Sequence, residues 1–121
     1  MDILIIDDDP VVRSAVGQSF VRAGHRIIIC SEGSNALELV GRQAFDAVIT
    51  DLEMPGMKGD ALALEIARLA PGSALIIFTG FPDDVSEQAA NLVDQVIAKP
   101  MNGAEFVSEV EQICMRRHQG S

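Results

Sequence analysis

Charged and polar side chains stand where apolar runs stop. Asp7 and Asp8 follow Ile3-Leu4-Ile5-Ile6, and Asp51 follows the run from Ala47 to Ile49. Thr79 closes Leu75-Ile76-Ile77-Phe78, and Lys99-Pro100 follows Val96-Ile97-Ala98. If these runs are parallel strands of one open sheet, their C-terminal ends share a rim, and ligands bind at that rim in open α/β sheets. A carboxylate pair, a lone aspartate, a hydroxyl and an ammonium then converge. Such a set can hold a divalent metal and move a phosphoryl group onto a carboxylate.

The charges constrain what the site takes. Carboxylates about 5 Å apart repel by roughly 3 kcal/mol per pair at an effective dielectric near 20. Asp7, Asp8 and Asp51 therefore call for cations, and Mg²⁺ with Lys99 brings the formal sum to zero. Hard oxygen donors suit Mg²⁺, which keeps waters and shares phosphate oxygens. Zinc would want nitrogen or sulfur. Asp51 is the candidate nucleophile, turning into an aspartyl phosphate. The metal and Lys99 would neutralise the transferred oxygens, and the Thr79 hydroxyl would hydrogen-bond one of them.

Short continuous apolar runs alternate with stretches of helical period. Strands are expected at 3–6, 27–29, 47–49, 75–78 and 96–98, each buried on both faces because its apolarity is continuous. Val12, Val16 and Phe20 mark a first helix, and Ala36, Leu37 and Val40 a shorter second. Leu62, Ile66 and Leu69 mark a third, Val85, Ala89 and Leu92 a fourth, and Phe106, Val110 and Ile113 a last that ends near Arg117. Asp9-Pro10 reads as an N-cap with proline at the first helical position. Gly24 reads as a C-cap glycine, and Pro71-Gly72 ends the third helix. Five β-α units with short connections imply a doubly wound parallel sheet with right-handed crossovers.

The 121 residues are expected to form a single domain, 1–121, with no output domain. No stretch approaches the roughly 20 apolar residues of a membrane span. The N-terminus lacks the marks of a signal peptide, so a cytoplasmic protein is expected. A net charge of −9 argues against direct nucleic-acid binding, which needs phosphate-neutralising cations. Arg116, Arg117 and His118 read as cations at a helix end with a solvated tail. Cys30 and Cys114 read as buried free thiols. His25 and His118 read as surface residues, so a donor histidine must come from another protein.

Across essentially its whole length the chain resembles response-regulator receiver domains, the phosphoacceptor half of two-component signalling. The motifs are Ile-Ile-Asp7-Asp8-Asp9-Pro10, Ile-Thr-Asp51-Leu-Glu-Met-Pro55-Gly-Met-Lys-Gly59, Ile-Phe-Thr79-Gly80 and Ile-Ala-Lys99-Pro100. The second is the most specific, with Met54-Pro55 and Gly59 at the family's spacing after the aspartate. The resemblance implies the flavodoxin-like strand order 2-1-3-4-5. It implies that Asp51 accepts phosphate from a phosphohistidine on a sensor histidine kinase or a histidine phosphotransfer protein. Asp8 and Asp51 would bind Mg²⁺ through side chains, Glu53 through its backbone carbonyl, and Asp7 mainly through metal-bound water. Thr79 and Lys99 would hold the phosphoryl oxygens, with Lys99-Pro100 cis. The phosphodonor would dock on the helix after Asp9, on the side of Val11, Arg13 and Ser14. A downstream output protein or domain, or a second copy in a homodimer, would use the faces from Val85 to Leu92 and from Glu105 to Arg116.

Two departures matter. Three positions before the lysine the family usually carries Tyr or Phe, and here stands Val96, so the signal is expected to travel through backbone shifts around Thr79 and the following helix. Phe81 is bulkier than many members have two residues after the threonine. Together with Glu53 it is expected to limit water access to the acyl phosphate. Two rival readings remain: a small haloacid-dehalogenase-type phosphatase, for which Asp7 and Asp9 nominally supply an Asp-x-Asp, and a non-phosphorylated interaction module. The first lacks the acidic pair after the lysine and leaves the Asp51 motif unexplained. The second normally loses one of the residues that are all present here.

Overall fold

A computed structural model describes residues 1–54 and 57–119, without the side chains of 118 and 119. Pro55 and Gly56 of the Asp51 motif, and the His118 side chain, lie outside the described residues. Five parallel strands stand in the order β2-β1-β3-β4-β5: β1 Asp2–Ile6, β2 Arg26–Cys30, β3 Ala47–Thr50, β4 Ala74–Thr79 and β5 Gln95–Ala98. The helices are α1 Pro10–Arg22, α2 Gly33–Arg42, α3 Gly59–Leu69, α4 Glu87–Leu92 and α5 Gly103–Gln119, with a 3-10 turn at Pro82–Asp84 before α4.

Strand side chains alternate between two apolar layers. Ile3, Ile5, Ile49, Ile76 and Phe78 pack with Phe20 of α1 and with Phe106, Val110 and Ile113 of α5. Leu4, Ile6, Val48, Leu75 and Ile77 pack with Ala36 and Val40 of α2, Leu62 and Ile66 of α3, and Ala89 of α4. Both faces of the sheet are thereby covered, which is why the sequence runs are continuously apolar. Phe106 holds the first layer, stacked on Phe78 at 4.3 Å between centroids and edge-on to Phe20 at 5.9 Å. Truncating a buried phenylalanine of this kind to alanine costs about 3–5 kcal/mol.

Capping follows the sequence signals at α1. Asp9 accepts the Val11 N–H at 2.9 Å, Pro10 opens the helix, and Gly24 beyond its end has φ +92°, a region that favours glycine. Gly59 answers to close approach instead: a side chain there would run into the backbone of Asp51 and Leu52, and its N–H donates to the Leu52 carbonyl at 2.8 Å. The first turn of α3 thus lies directly against the backbone at Asp51.

Several expectations change. The strand expected at 27–29 lies at the sheet edge as the order 2-1-3-4-5 implies, but it is not buried on both faces: Ile29 is 40% exposed. The fourth helix is short, because Ser86 caps it through its hydroxyl and the 3-10 turn occupies the preceding residues. Val85 stands outside it, Ala89 alone of the expected apolar triplet is fully buried, and Leu92 is exposed. α5 runs two residues past Arg117, which is tied down rather than solvated: it pairs with Asp94 at 2.9 Å and donates to the Pro71 carbonyl. Cys30 is buried, which pushes its thiol up to about 11, but Cys114 is only half-buried. His25 is not a surface residue. Its side chain is 10% exposed, with Nε2 2.8 Å from Glu111 of α5 and Nδ1 3.1 Å from the Met1 amino group.

Candidate phosphoryl and metal site

The strand register carries the site. Ile6 of β1 pairs with Thr50 of β3, and Thr79 of β4 pairs with Ala98 of β5. The Asp51 N–H donates to the Ile6 carbonyl at 3.0 Å, and the Lys99 N–H to the Thr79 carbonyl at 2.7 Å. Thr79 is therefore the last residue of its strand, Asp7, Asp51 and Lys99 are each the next beyond theirs, and Asp8 is one further, all held near one level by the ladder. Each strand stops there because the following loop must leave the sheet for its helix.

Asp7, Asp8 and Asp51 each offer an oxygen within 4.8 Å of the others. Asp7 is 3% exposed and Asp51 9%, whereas Asp8 is exposed. The Lys99 ammonium, mostly buried, lies 2.8 Å from Asp7 Oδ2 and 3.4 Å from Asp51 Oδ1, over the Phe78 ring at 5.5 Å. The Lys99-Pro100 bond is cis. Asp51 Oδ1 also accepts the Leu52 N–H at 2.8 Å. Burial, and then the neighbouring Asp7 charge, raise the Asp51 carboxyl above its ordinary value, while Lys99 and the Leu52 N–H hold it back. Burial alone would lower the Lys99 ammonium. Its hydrogen bond to Asp7 and the charges of Asp7 and Asp51 outweigh that, and it ends above its ordinary value.

Thr79 is fully buried, and its Oγ1 accepts the Phe81 N–H at 3.0 Å. The hydroxyl proton remains available to another acceptor. Glu53 and Phe81 are exposed, Phe81 by 60%. Asp9 is exposed and caps α1 through Oδ1, so it does not join the acidic group as a dehalogenase-type second aspartate would. Val96 is half-buried and packs against the apolar layer of α2, α3 and α4. Two side chains beyond the expected acidic, hydroxyl and ammonium groups join the site, Phe78 and Arg13, the latter expected only on the donor-docking face. Phe78 faces the Lys99 ammonium, a placement implied only by the pairing of β4 with β5. Arg13 donates Nη1 to the Asp7 carbonyl at 2.9 Å. Its spacing of six residues from Asp7, across a helix start, is the one local clue to that contact.

Residues 3–111 match the family described as the response regulator receiver domain. The chain belongs to this family. The receiver is 32% identical over 116 residues to the transcriptional activator protein PfeR of Pseudomonas aeruginosa, covering 94% of this chain and 38% of that protein. It is 29% identical over 119 residues to the response regulator MprA of Mycobacterium leprae, covering 96% of this chain and 52% of that one. The receiver thus spans about half the length, or less, of these curated relatives. Among solved structures it resembles the response regulator TrrA from Thermotoga maritima in complex with Mg²⁺-BeF. The TM-score is 0.85 at 28% identity, over 93% of this chain and 97% of that one. A receiver domain protein from Methanospirillum hungatei shares the fold at a TM-score of 0.89 and 22% identity, over 99% and 98% of the two chains.

The acidic group suits Mg²⁺ by the nature of its donors. It is all carboxylate oxygen, with no nitrogen or sulfur contributed. Asp8 in addition has its carboxylate in no hydrogen bond among the described residues.

Proposed function

We propose that this receiver accepts a phosphoryl group on Asp51 from a phosphohistidine of a sensor histidine kinase or histidine phosphotransfer protein. The observation that carries the reading is the convergence of three carboxylates and the Lys99 ammonium at the ends of β1, β3 and β5.

Asp8 and Asp51 would hold Mg²⁺ through their side chains, with Glu53 contributing its carbonyl and Asp7 acting mainly through metal-bound water. When bound, the ion supplies positive charge beside the phosphoryl oxygens. Among the described residues no hydrogen bond engages Asp51 Oδ2, which leaves that oxygen for attack. The Asp51 oxygen forms a bond to phosphorus as the bond to the donor's imidazole nitrogen breaks, and that nitrogen keeps the electron pair. Lys99, already 3.4 Å from Asp51, neutralises charge on the transferred oxygens. Thr79 donates its hydroxyl proton to one of them while still accepting from Phe81, so its displacement pulls on the Phe81 backbone. With Val96 in place of an aromatic ring, that backbone connection carries the phosphorylation state into the loop before α4.

Residues 1–121 act as one receiver unit, in the cytoplasm where the donor's phosphohistidine is formed. The donor docks on α1 near Val11, Arg13 and Ser14. An output protein or domain, or a second copy, reads the faces that carry Leu92 on α4 and Met115 on α5, both exposed apolar side chains. Intact-protein mass after incubation with acetyl phosphate and Mg²⁺ tests the chemistry. One added phosphoryl group, absent in Asp51→Asn and in EDTA, is the expected result. An adduct that persists in Asp51→Asn would refute the assignment.

A further inference from the structure

Asp7 is bonded at every polar atom it has. Its N–H donates to the Cys30 carbonyl at 3.2 Å, and its own carbonyl accepts Arg13 Nη1 at 2.9 Å. Oδ1 accepts the Asp9 N–H at 2.9 Å, and Oδ2 accepts Lys99 at 2.8 Å. Asp8 is the opposite case. It is exposed and its carboxylate makes no hydrogen bond among the described residues, yet it belongs to the group whose oxygens lie within 4.8 Å. The aim of that carboxylate is therefore set by the backbone that carries it.

The peptide joining Asp7 to Asp8 is a rigid plane. Its carbonyl is held by Arg13, which reaches back from the first turns of α1. Turning that plane swings everything attached to the Asp8 Cα. We propose that Arg13 is a positioning residue that locks the Asp7–Asp8 peptide and so aims the Asp8 carboxylate at the cation position. This rests on the reading of Asp7, Asp8 and Asp51 as the Mg²⁺ site.

The guanidinium charge acts in the other direction. A cation held at the Asp7 carbonyl adds positive charge near the acidic group and so competes with a divalent ion, and removing the charge alone would tighten Mg²⁺ binding. Loss of orientation weakens it, because groups that orient metal ligands are typically worth about 10–100-fold in affinity. The two roles predict opposite signs.

Calorimetric titration of the folded protein with Mg²⁺ reads the sign directly, for wild type, Arg13→Ala and Arg13→Lys, with unfolding midpoints in EDTA alongside. Arg13→Ala is expected to raise the Mg²⁺ Kd about tenfold, and Arg13→Lys, which keeps a cationic donor, to fall between it and wild type. With acetyl phosphate, the Mg²⁺ concentration for half-maximal phosphorylation rises by the same factor. A Kd that is unchanged or lower in Arg13→Ala overturns the proposal, as does a lower saturating rate at an unchanged Kd. If the alanine variant does not fold, Arg13→Gln serves in its place, and a Kd below wild type overturns the proposal equally. Wild-type protein that binds Mg²⁺ but takes no phosphoryl group would remove the Asp51 reading and leave the Arg13 test standing.

Discussion

Asp60 of α3 reaches across to α4, its Oδ2 accepting the Ser86 N–H at 3.0 Å while Ser86 caps α4 by accepting the Ala89 N–H at 3.1 Å. Asp60 Oδ1 is buried with no hydrogen-bond partner among the described residues. Two routes meet at Ser86. One runs from Asp51 through the contact with Gly59 into α3, and the other from Thr79 through Phe81 and the 3-10 turn.

A helix of six residues is far below the roughly 12–15 at which isolated helices become marginally stable, so α4 depends on this fastening. Hydrogen bonds to charged acceptors contribute about 1.5–3 kcal/mol, and losing the unpaired oxygen returns part of that. Asp60→Ala is expected to lower stability by about 1 kcal/mol, roughly 4 °C in Tm. Amide exchange in α4 should accelerate more than in β1. Unchanged exchange in α4 would show that the helix is held by other contacts.

Lys99 offsets two buried carboxylates at once. Breaking a buried ion pair costs about 3–5 kcal/mol, and partial exposure of the ammonium reduces the expected loss in Lys99→Ala to about 2 kcal/mol. Mg²⁺ replaces the missing charge, so the rise in Tm on adding Mg²⁺ should be larger for Lys99→Ala than for wild type. Thermal unfolding with and without Mg²⁺ makes the comparison, and an equal rise in both proteins would count against the charge-balance argument.

The Asp51 carboxyl is raised mainly by burial, with Asp7 adding to it. A carboxyl whose folded-state value exceeds the unfolded one of about 3.9 contributes stability below that pH, lost as pH rises through the folded value. Without a divalent cation, charged Asp51 is therefore a net liability near neutral pH. Asp51→Asn is expected to unfold at higher urea than wild type at about pH 7, with the gain shrinking as pH falls towards about 4. Urea midpoints across that range in EDTA measure it, and a gain independent of pH would assign the effect to packing.

Phe81 is 60% exposed, so removing its ring costs little burial, and Glu53 is exposed as well. Surface changes of this kind usually stay within about 0.5 kcal/mol of wild-type stability. A change in the lifetime of the Asp51 adduct in Phe81→Ala or Glu53→Ala then reports water access rather than loosening. Faster loss of the phosphoryl group is expected in both. A decay rate equal to wild type in both variants would eliminate the shielding role.

Much of this was legible in residue order. Continuous apolar runs and four-residue periodicity name the five strands and most helices, because burial against a sheet imposes those periods directly on the chain. The acidic pair, Asp51, Thr79 and Lys99 come together in the sequence because parallel strands share a direction, and each residue stands at or just beyond a strand's C-terminal end. Asp9-Pro10 and Gly24 were readable because caps are local. The fourth helix was overextended because Val85, Ala89 and Leu92 satisfy the helical period without belonging to one helix, and Ser86 decides where it begins.

Residue order laid out the parallel architecture and the acidic rim through short-range period and spacing, and the motifs around Asp7, Asp51, Thr79 and Lys99 carried the resemblance to the family. Packing in three dimensions was needed to show that His25 joins Glu111 across 86 residues and that Arg117 closes on Asp94. It also decided that Asp60 fastens Ser86 and that Arg13 grips the Asp7 carbonyl. A polar contact between distant segments leaves no period in the chain, because its partner is chosen by where the elements pack.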